Sequence, residues 1–312
     1  MRKTLLLSFV ILSIASAATA HVTVQSCNRE VTFDAPPTAA ISNDVNLTEM
    51  MLVLELTDHM IGYTGISGWR TLDEEMRTGV EALPELSKKY PSKEILIGAG
   101  ADFFFAGWNY GLRAGGEVTP ETLAPFGIQV YELTESCTHI MNKEKASMED
   151  MYNDLLNLGR IFGVEDRAEA LVAGYRAELA AFTDTLEAGE MPVRVFVYDS
   201  GEDAPFTAGR YAMPTAMIEA AGGINVMEDF EKSWATVAWE EVIARDPEVI
   251  VIVNYGDVTA EQKRDFMVSN SAFAGIDAVQ NDRFVTLDYV KATPGPRNIE
   301  AIKTLAAAFW RE

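Results

Sequence analysis

The sequence predicts an α/β protein of two lobes, each built on a parallel sheet and joined to the other by a long bridging α-helix, with a ligand cleft between them. A repeated pattern is the first reason: residues 92–111 read SKEILIGAGADFFFAGWNYG and residues 239–256 read WEEVIARDPEVIVIVNYG. Strands and helices also alternate in both halves, which is typical of parallel, Rossmann-like sheets with right-handed crossovers. The separation of the copies far exceeds a solenoid period and indicates two related lobes.

Within each copy a glutamate opens a helical turn, an acidic residue follows eight positions later, and an apolar strand ends in Asn-Tyr-Gly. These strand ends are Asn109-Tyr110-Gly111 and Asn254-Tyr255-Gly256. Because open parallel sheets bind ligands at the carboxyl ends of their strands, we expect the two ends to face each other across the cleft.

The chain divides into four predicted segments. They are a signal peptide (1–20), an N-terminal α/β lobe (21–142), a helical linker with the bridging helix (143–190) and a C-terminal α/β lobe (191–312). In the first lobe the predicted elements are a hairpin over 22–33, a strand over 39–42, a helix over 47–56 capped by Asn46, strands within 58–64 and 98–106, a helical turn at Glu94, a helix over 119–126 and a strand over 128–133.

The linker is predicted to be helical rather than flexible. A start signal at Ser147–Asp150 opens a helix that ends at Gly163, and a second helix covers 165–186. The second lobe then continues with strands over 194–198, 249–254 and 284–287 and helices over 213–221, at Glu240, and over 260–267 and 299–310.

The first twenty residues have the features of a secretory signal peptide. Arg2 and Lys3 precede the apolar run 5–14, and Ala18-Thr19-Ala20 supplies small residues for cleavage. The alternative is a retained membrane helix, but the run is short for a bilayer. We therefore expect a soluble protein of the periplasm, in which Cys27 and Cys137 form a disulfide or, alternatively, remain two buried thiols.

The charge of the chain excludes one class of partner. Acidic residues outnumber basic ones by 47 to 25, which gives a formal net charge of -22. Nucleic acid is excluded because neutralising phosphates requires a basic face. We expect a monomer without a cofactor.

Catalytic and metal-binding patterns are missing from the sequence. The chain has only three histidines, His21, His59 and His139, and no recognised hydrolase or phosphate-loop motif. No metal site is predicted, although a tyrosine could ligate haem iron. The remaining enzyme alternative is a secreted α/β protein that acts at the same cleft.

Aromatic and arginine residues near predicted strand ends are the candidates for ligand binding. Aromatic rings provide contact area for conjugated ligands, and arginine recognises carboxylates and anionic chelates. The alternative interpretation is that each ring is a core or rim residue and that Arg297 caps a helix. The candidates are Trp69, Arg70, Trp108, Tyr110, Arg210, Tyr211, Trp234, Tyr255 and Arg297.

Three runs of the second half carry a resemblance to a known family. Residues 206–210 read FTAGR, 218–223 read IEAAGG and 239–247 read WEEVIARDP. With KEILI at 93–97 and TESC at 134–137, they resemble the periplasmic binding proteins that serve iron-siderophore, haem and cobalamin ABC importers. The resemblance implies a binding protein. A ferric siderophore is the first choice of ligand, and a corrinoid or haem is the alternative.

Glu94 and Glu240 occupy matching positions at the starts of helices. A glutamate there ordinarily stabilises the helix dipole by tenths of a kcal/mol. Two of them on two lobes could instead meet arginines of a twofold partner. The resemblance implies that use, as docking residues for the ABC permease dimer.

Overall fold

Two α/β lobes and a helical connection make up the protein, as a computed structural model describes it for residues 21–68, 72–186 and 191–310. The predicted signal peptide lies outside the described residues. In the first lobe the elements are β1 (Val22–Ser26), β2 (Arg29–Phe33), β3 (Ala40–Asn43), α1 (Val45–Val53), β4 (Met60–Thr64), α2 (Glu74–Val80), β5 (Glu85–Ser87), α3 (Lys93–Gly98), β6 (Phe103–Trp108), β7 (Gly111–Leu112), α4 (Pro120–Leu123) and β8 (Gln129–Glu132).

Two helices connect the lobes, and alternating elements follow. The connecting helices are α5 (Met148–Phe162) and α6 (Glu165–Thr183). In the second lobe the elements are β9 (Val193–Tyr198), β10 (Phe206–Ala208), α7 (Met213–Ala220), β11 (Gly223–Asn225), β12 (Trp234–Thr236), α8 (Trp239–Arg245), β13 (Val249–Asn254), α9 (Ala260–Ser269), α10 (Asp277–Gln280), β14 (Phe284–Asp288), α11 (Tyr289–Ala292) and α12 (Asn298–Phe309).

Each lobe is built on a parallel sheet, so the predicted fold class is confirmed. The first sheet has the strand order β5-β4-β3-β6-β7, with β8 also paired to β6, and the second has the order β11-β9-β13-β14. Every pairing within these sheets is parallel. The short strands β10 and β12 form an additional antiparallel ribbon that the sequence analysis did not predict.

The acidic residue of the repeated pattern fixes the strand that comes first along the chain in each parallel sheet, β3 or β9. The Asp102 carboxylate accepts hydrogen bonds from the main-chain N–H groups of Thr38, at 2.8 Å, and Ala39, at 2.9 Å, just before β3. The Glu248 carboxylate accepts one from the N–H of Arg194, at 2.9 Å, in β9. In both lobes the acid thus ties the start of the strand that follows it to the neighbouring strand, through charge-assisted hydrogen bonds.

The start of α1 differs from the prediction. Asp44, not Asn46, caps the helix, and its Oδ1 accepts a hydrogen bond from the N–H of Val45 at 2.8 Å. The prediction was wrong because the helix begins before Asn46. Asn46 is buried in the first turn and donates its side-chain N–H to the carbonyl of Pro294, at 2.7 Å, in the second lobe.

Helix α6 contacts both lobes. The Arg167 guanidinium donates to the carbonyl of Leu54 at 2.6 Å and forms an ion pair with Glu55 at 3.2 Å in the first lobe. Further along the same helix, Glu178 pairs with Lys303 of α12 at 2.6 Å. The helix therefore bridges the lobes as predicted, although it ends at Thr183, before the expected boundary.

One hydrophobic core extends through both lobes. The buried cluster includes Leu47 and Met50 of α1, Met151 of α5, Val195 of β9 and Ile302 of α12. Burial of apolar surface is worth about 25 cal/mol per Å². Wide opening of the lobes would expose part of this core to water, so the structure favours small changes in the cleft.

A disulfide fastens the N-terminal hairpin of β1 and β2 to the first lobe. Cys27, in the hairpin turn, is bonded to Cys137 in a 3₁₀ helix over Thr134–His139. The predicted pair is confirmed in the structure. The fully buried Glu132 supports the same contact, because it accepts hydrogen bonds from Ser26 at 2.8 Å and Arg29 at 2.6 Å.

We expect loss of the disulfide to lower the free energy of unfolding. The cysteines are 110 residues apart, and the chain-entropy model gives about 4 to 5 kcal/mol for closing a loop of that size. Urea unfolding of the oxidised protein and of the Cys27→Ala, Cys137→Ala double variant measures the difference. Two titratable thiols in the native, oxidised protein, or equal stability of both proteins, would contradict the prediction.

Candidate functional site

A cavity of about 220 Å³ lies between the lobes. Its polar lining includes Asn109, His139, Asp199 and Ser233. Aromatic rings from both lobes supply much of the rest, namely Tyr90, Tyr110, Phe206, Trp234, Tyr255 and Tyr289. A concave space with aromatic walls and a few polar groups is the usual form of a small-molecule site.

The cavity lies at the carboxyl ends of the parallel strands. Asn109 and Tyr110 directly follow β6 in the first lobe, while Asp199, Tyr255 and Tyr289 follow β9, β13 and β14 in the second. The repeated Asn-Tyr-Gly ends thus bring Tyr110 and Tyr255 to one cavity from opposite lobes, as open parallel sheets predict.

Backbone angles and close contacts restrict which residues can occupy the first Asn-Tyr-Gly turn. Asn109 has φ 66 and Gly111 has φ 102, both in the left-handed region that favours glycine and asparagine. A Cβ added at Gly111 would lie 2.9 Å from the side chain of Asn43. The turn therefore requires its glycine and holds Tyr110 at the cavity wall.

Tyr255 is fixed from two directions. Its hydroxyl donates a hydrogen bond to Asp199 Oδ2 at 2.5 Å. The ammonium group of the buried Lys263 lies 4.8 Å from the ring centroid and donates to the main-chain carbonyls of Asp199 and Val253 at 2.5 and 2.6 Å. Burial lowers the pKa of Lys263, and the nearby Asp199 opposes that shift. Cation–π contact and hydrogen bonds together orient the ring.

Trp234 lines the cavity from the second lobe, opposite Tyr110 of the first. Its ring stacks on Phe206 with centroids 5.8 Å apart. Tyr110 is buried, and burial is the main reason that its pKa lies well above the usual value. The hydroxyl of Tyr110 is therefore neutral in the folded protein at physiological pH.

Glu135 forms a second connection near the cavity. This fully buried carboxyl accepts hydrogen bonds from the N–H of Met213 and the hydroxyl of Ser233, each at 3.3 Å, both in the second lobe. Its Oε2 has no hydrogen-bond partner. Burial, with a smaller contribution from Asp150, raises the pKa of Glu135 to about 8. The carboxyl therefore joins the lobes mainly in its neutral form at pH 7.

Asp44 accepts hydrogen bonds from two tyrosines, one in each lobe. Its Oδ2 accepts hydrogen bonds from Tyr90 at 2.9 Å and from Tyr289 at 3.1 Å. Asp44 is fully buried and has φ 70, an unusual backbone angle for a residue other than glycine. Its carboxylate thus links the first lobe to the second at the side of the cavity.

A smaller cavity of about 180 Å³ adjoins the first. Tyr255 and Tyr289 line both cavities, so their rings form the wall between them. Asp73, Asp288 and Arg297 give the smaller cavity a more polar lining.

Arg297 bridges the lobes instead of being free for an anion. It lies at the start of α12, and its guanidinium donates to the carboxylates of Glu49 and Asp73 in the first lobe. Burial disfavours the charge, but the hydrogen bonds and charges of these two carboxylates outweigh it and raise the pKa of Arg297. The side chain makes no capping hydrogen bond, so the capping alternative does not describe it.

Several other candidates are placed away from the larger cavity. Trp108 is buried in the first-lobe core, where its indole N–H donates to Glu132 at 2.9 Å. Arg210 pairs with Glu231 at 3.3 Å, and Tyr211 lines neither cavity. Trp69 and Arg70 lie outside the described residues. Tyr110, Trp234 and Tyr255 are thus the sequence candidates that meet at the larger cavity, while Arg297 lines the smaller one.

Several polar residues that hold the aromatic rings were not among the sequence candidates. Asp44, Asp199 and Tyr289 each follow a strand directly, so strand-end position was an available signal. Tyr90 and Glu135 lie in segments without such a signal. Within residues 21–68, 72–186 and 191–310, no group of three or more histidine, cysteine, aspartate and glutamate side chains is arranged to hold a metal ion.

Glu94 and Glu240 are both exposed, in the first turns of α3 and α8. Hydrogen bonds from its own main-chain N–H and from Ser92 lower the pKa of Glu94, which keeps this carboxylate charged. Glu241, the neighbour of Glu240, pairs with Arg245 at 3.5 Å instead. The two glutamates are therefore available at matching positions of the two lobes.

A family model and several curated proteins match the chain. The model, described as periplasmic binding protein, matches residues 117–290. A cobalamin-binding protein of Halobacterium salinarum is 23% identical over 90% of this chain and 72% of its own length. A vitamin B12-binding protein of Salmonella choleraesuis is 28% identical over 40% of this chain and 46% of its own. The chain thus spans less than half of the length of the vitamin B12-binding relatives that it matches.

Solved structures share the fold over nearly the whole chain. A periplasmic binding protein from Veillonella parvula has a TM-score of 0.79 and 29% identity, and the match covers 92% of this chain and 97% of that one. An ABC-type Fe3+-hydroxamate transport system from Saccharomonospora viridis has a TM-score of 0.78 and 24% identity, with 93% and 99% covered. Among the helices that the structure describes, none has the length and apolar character needed to cross a membrane.

We expect Glu135→Gln to stabilise the protein increasingly as pH rises from about 4.5 to 8. The pKa of Glu135 is raised from 4.5 to about 8 in the folded state, so its contribution to stability is fully present below the unfolded value and is lost as pH rises through the folded value. The difference grows by at most about 1.4 kcal/mol per pH unit. Urea unfolding at pH 5, 6, 7 and 8 measures it.

Glu169→Gln, which changes an exposed carboxylate on α6, is the control for this series. Its stability should follow that of the wild type at every pH. A Glu135→Gln variant that differs from the wild type by the same amount at pH 5 and pH 8 would show that Glu135 is ionised in the folded protein.

Proposed function

Because the chain belongs to the periplasmic binding protein family, we propose that it is an exported receptor that captures a metal-chelate nutrient and delivers it to an ABC importer. The observation that carries this proposal is the interlobe cavity at the carboxyl ends of both sheets, with aromatic walls from each lobe. Family membership makes the chain a substrate-binding protein rather than an enzyme. The aromatic walls suit a ligand with a broad conjugated or macrocyclic face.

The charges around the cavity favour a corrinoid over an anionic ferric siderophore. Among the described residues, no arginine or lysine lines the larger cavity, whereas Asp199 does. The guanidinium groups of Arg210 and Arg297 are already paired with carboxylates. An anionic chelate would therefore lack a cationic partner there, while a corrinoid with neutral amide side chains would not need one.

Curated relatives support the same choice. The cobalamin-binding and vitamin B12-binding proteins are named for corrinoids. A ferric siderophore is the second candidate. Arg297, which lines the smaller cavity, favours it, because its buried Nη2 makes no hydrogen bond and its ion pair with Glu75 is long, at 3.6 Å.

We expect cyanocobalamin to bind the wild-type protein saturably without turnover. Trp234→Ala and Tyr255→Ala should each weaken binding about 10- to 100-fold, as expected for removing an aromatic anchor from a desolvated pocket. Isothermal titration calorimetry measures these affinities, with a ferric hydroxamate titrated in parallel. Phe126→Ala, which changes a phenylalanine that is 52% exposed and lines neither cavity, is the control.

Each result has a distinct meaning. Binding of the ferric chelate without binding of cyanocobalamin would assign the cavity to the second candidate. Affinities unchanged in both cavity variants would place the ligand elsewhere. Chemical conversion of the ligand would contradict the role as a binding protein.

Glu94 and Glu240 are the proposed docking residues for the permease. Both are exposed, and each lies in the first turn of the helix that precedes a central strand of its lobe. Exposed carboxylates at helix starts contribute little to folding. If they face arginines at a desolvated interface, loss of one of these carboxylates can cost roughly 2 to 5 kcal/mol of binding free energy.

We expect the Glu94→Ala, Glu240→Ala double variant to keep its ligand affinity and thermal midpoint and to lose uptake. Transport reconstituted with the cognate importer at saturating ligand measures the effect. The matched control is Glu121→Ala with Glu261→Ala, because these glutamates are also exposed in first helical turns, one in each lobe. Normal uptake by the Glu94 and Glu240 variant would reject docking through these residues.

A further inference from the structure

The cleft consists of two chambers, a first of about 220 Å³ and a second of about 180 Å³. Each is smaller than the roughly 300 to 1,000 Å³ of typical small-molecule sites. Tyr255 and Tyr289 separate them, with ring centroids 5.5 Å apart. A ligand that occupies both chambers at once would require one of these rings to move.

Tyr255 is the less mobile of the two rings. Its hydroxyl bonds Asp199 at 2.5 Å, and the buried Lys263 lies against its face. The ammonium of Lys263 is held by two main-chain carbonyls at the same strand ends. Asp199 would keep its hydrogen bond from the Ser200 hydroxyl at 2.8 Å if Tyr255 moved, but the buried ammonium of Lys263 would lose its contact with the ring. The loss of this cation–π contact disfavours displacement of Tyr255.

Tyr289, which packs at the edge of an apolar cluster with Val45 and Tyr63, can move without leaving a buried charge unsatisfied. Its hydroxyl donates to Asp44 Oδ2 at 3.1 Å, and that oxygen also accepts a hydrogen bond from Tyr90 at 2.9 Å. Asp44 Oδ1 accepts a further bond from the N–H of Val45. The buried carboxylate therefore stays hydrogen-bonded when Tyr289 moves, so no buried charge is left unsatisfied.

The second chamber offers both donors and acceptors. The Nη2 of Arg297 is buried without a hydrogen bond and lies 3.6 Å from a carboxylate oxygen of Glu75. Asp288 and Asn254 contribute a carboxylate and an amide that bond each other at 3.0 Å. Glu49, Asp73 and Glu75 already balance the charge of Arg297. A neutral group that both donates and accepts, such as a carboxamide, matches this lining better than an anion does.

We propose that Tyr289 is a displaceable partition and sets ligand specificity, since its movement joins the two chambers and admits a carboxamide-bearing arm of the ligand to the second. This inference rests on the proposed function, because it names a subsite for the same ligand. Tyr255 stays in place as the fixed aromatic wall.

Tyr289→Phe and Tyr289→Trp test the partition in opposite directions. The first keeps the ring and removes its hydrogen bond to Asp44, so displacement becomes easier and affinity for cyanocobalamin should rise about two- to tenfold. The second enlarges the side chain within the cleft and should lower affinity at least tenfold. Calorimetry with cyanocobalamin measures both, and thermal melts verify folding.

Tyr152→Phe is the matched control, because this buried tyrosine of α5 has a hydroxyl without a hydrogen-bond partner and lines neither chamber. Its affinity should equal that of the wild type. Lower affinity of Tyr289→Phe would show that the hydroxyl binds the ligand directly and would overturn the partition. Unchanged affinity of Tyr289→Trp would overturn it as well.

A ligand-free measurement separates this inference from the proposed function. In protein labelled with 3-fluorotyrosine, the fluorine resonance of Tyr289 should show exchange between two states, whereas that of Tyr255 should not. Tyr→Phe variants assign the two signals. Exchange at Tyr289 supports the partition even if cyanocobalamin fails to bind the wild type, and a Tyr289 signal as static as that of Tyr255 overturns it.

Discussion

The continuous hydrophobic core is the constraint on which the rest of the molecule depends. Side chains of α1, α5, β9 and α12 pack into one buried cluster, so the lobes are not independent bodies on a flexible linker. Their relative position fixes the carboxyl ends of both sheets at a short separation, and the cavity is the space that remains between those ends. Helix α6 adds contacts to each lobe from outside. Because the lobes are fixed in this way, a few aromatic rings and their polar supports can define a site.

Polar groups buried at the lobe interface perform two tasks. Asp44 and Glu135 of the first lobe accept hydrogen bonds from the second, while Arg297 of the second donates to the first. Buried polar contacts have strict geometric requirements and therefore specify one arrangement of the lobes better than apolar packing alone. They also orient the rings at the cavity, since Asp44 holds Tyr90 and Tyr289 while Asp199 holds Tyr255. The aromatic wall and the lobe interface are parts of one network.

The architecture could be predicted from the sequence because each copy of the repeated pattern is one short, continuous segment of a lobe. Strand alternation and the Asn-Tyr-Gly ends need only neighbouring residues, and they placed Tyr110 and Tyr255 in one cavity. Trp108 shows where this reasoning stops. Every residue of β6 is buried because both faces of the strand are covered, so position along the chain does not distinguish core from cleft. Arg297 shows a second limit, since its partner Glu49 lies 248 positions away and nothing local indicates the pair.

The shared core also has a consequence for the transport cycle. If the lobes hardly move, the empty and the loaded receptor present almost the same outer face, with Glu94 and Glu240 in nearly the same positions. An importer that recognises that face would bind both forms, and its occupancy would follow total receptor concentration as well as ligand supply. Receptor produced in excess of its ligand would then inhibit uptake by occupying permeases unproductively. In a receptor built this way, expression level becomes as important as affinity.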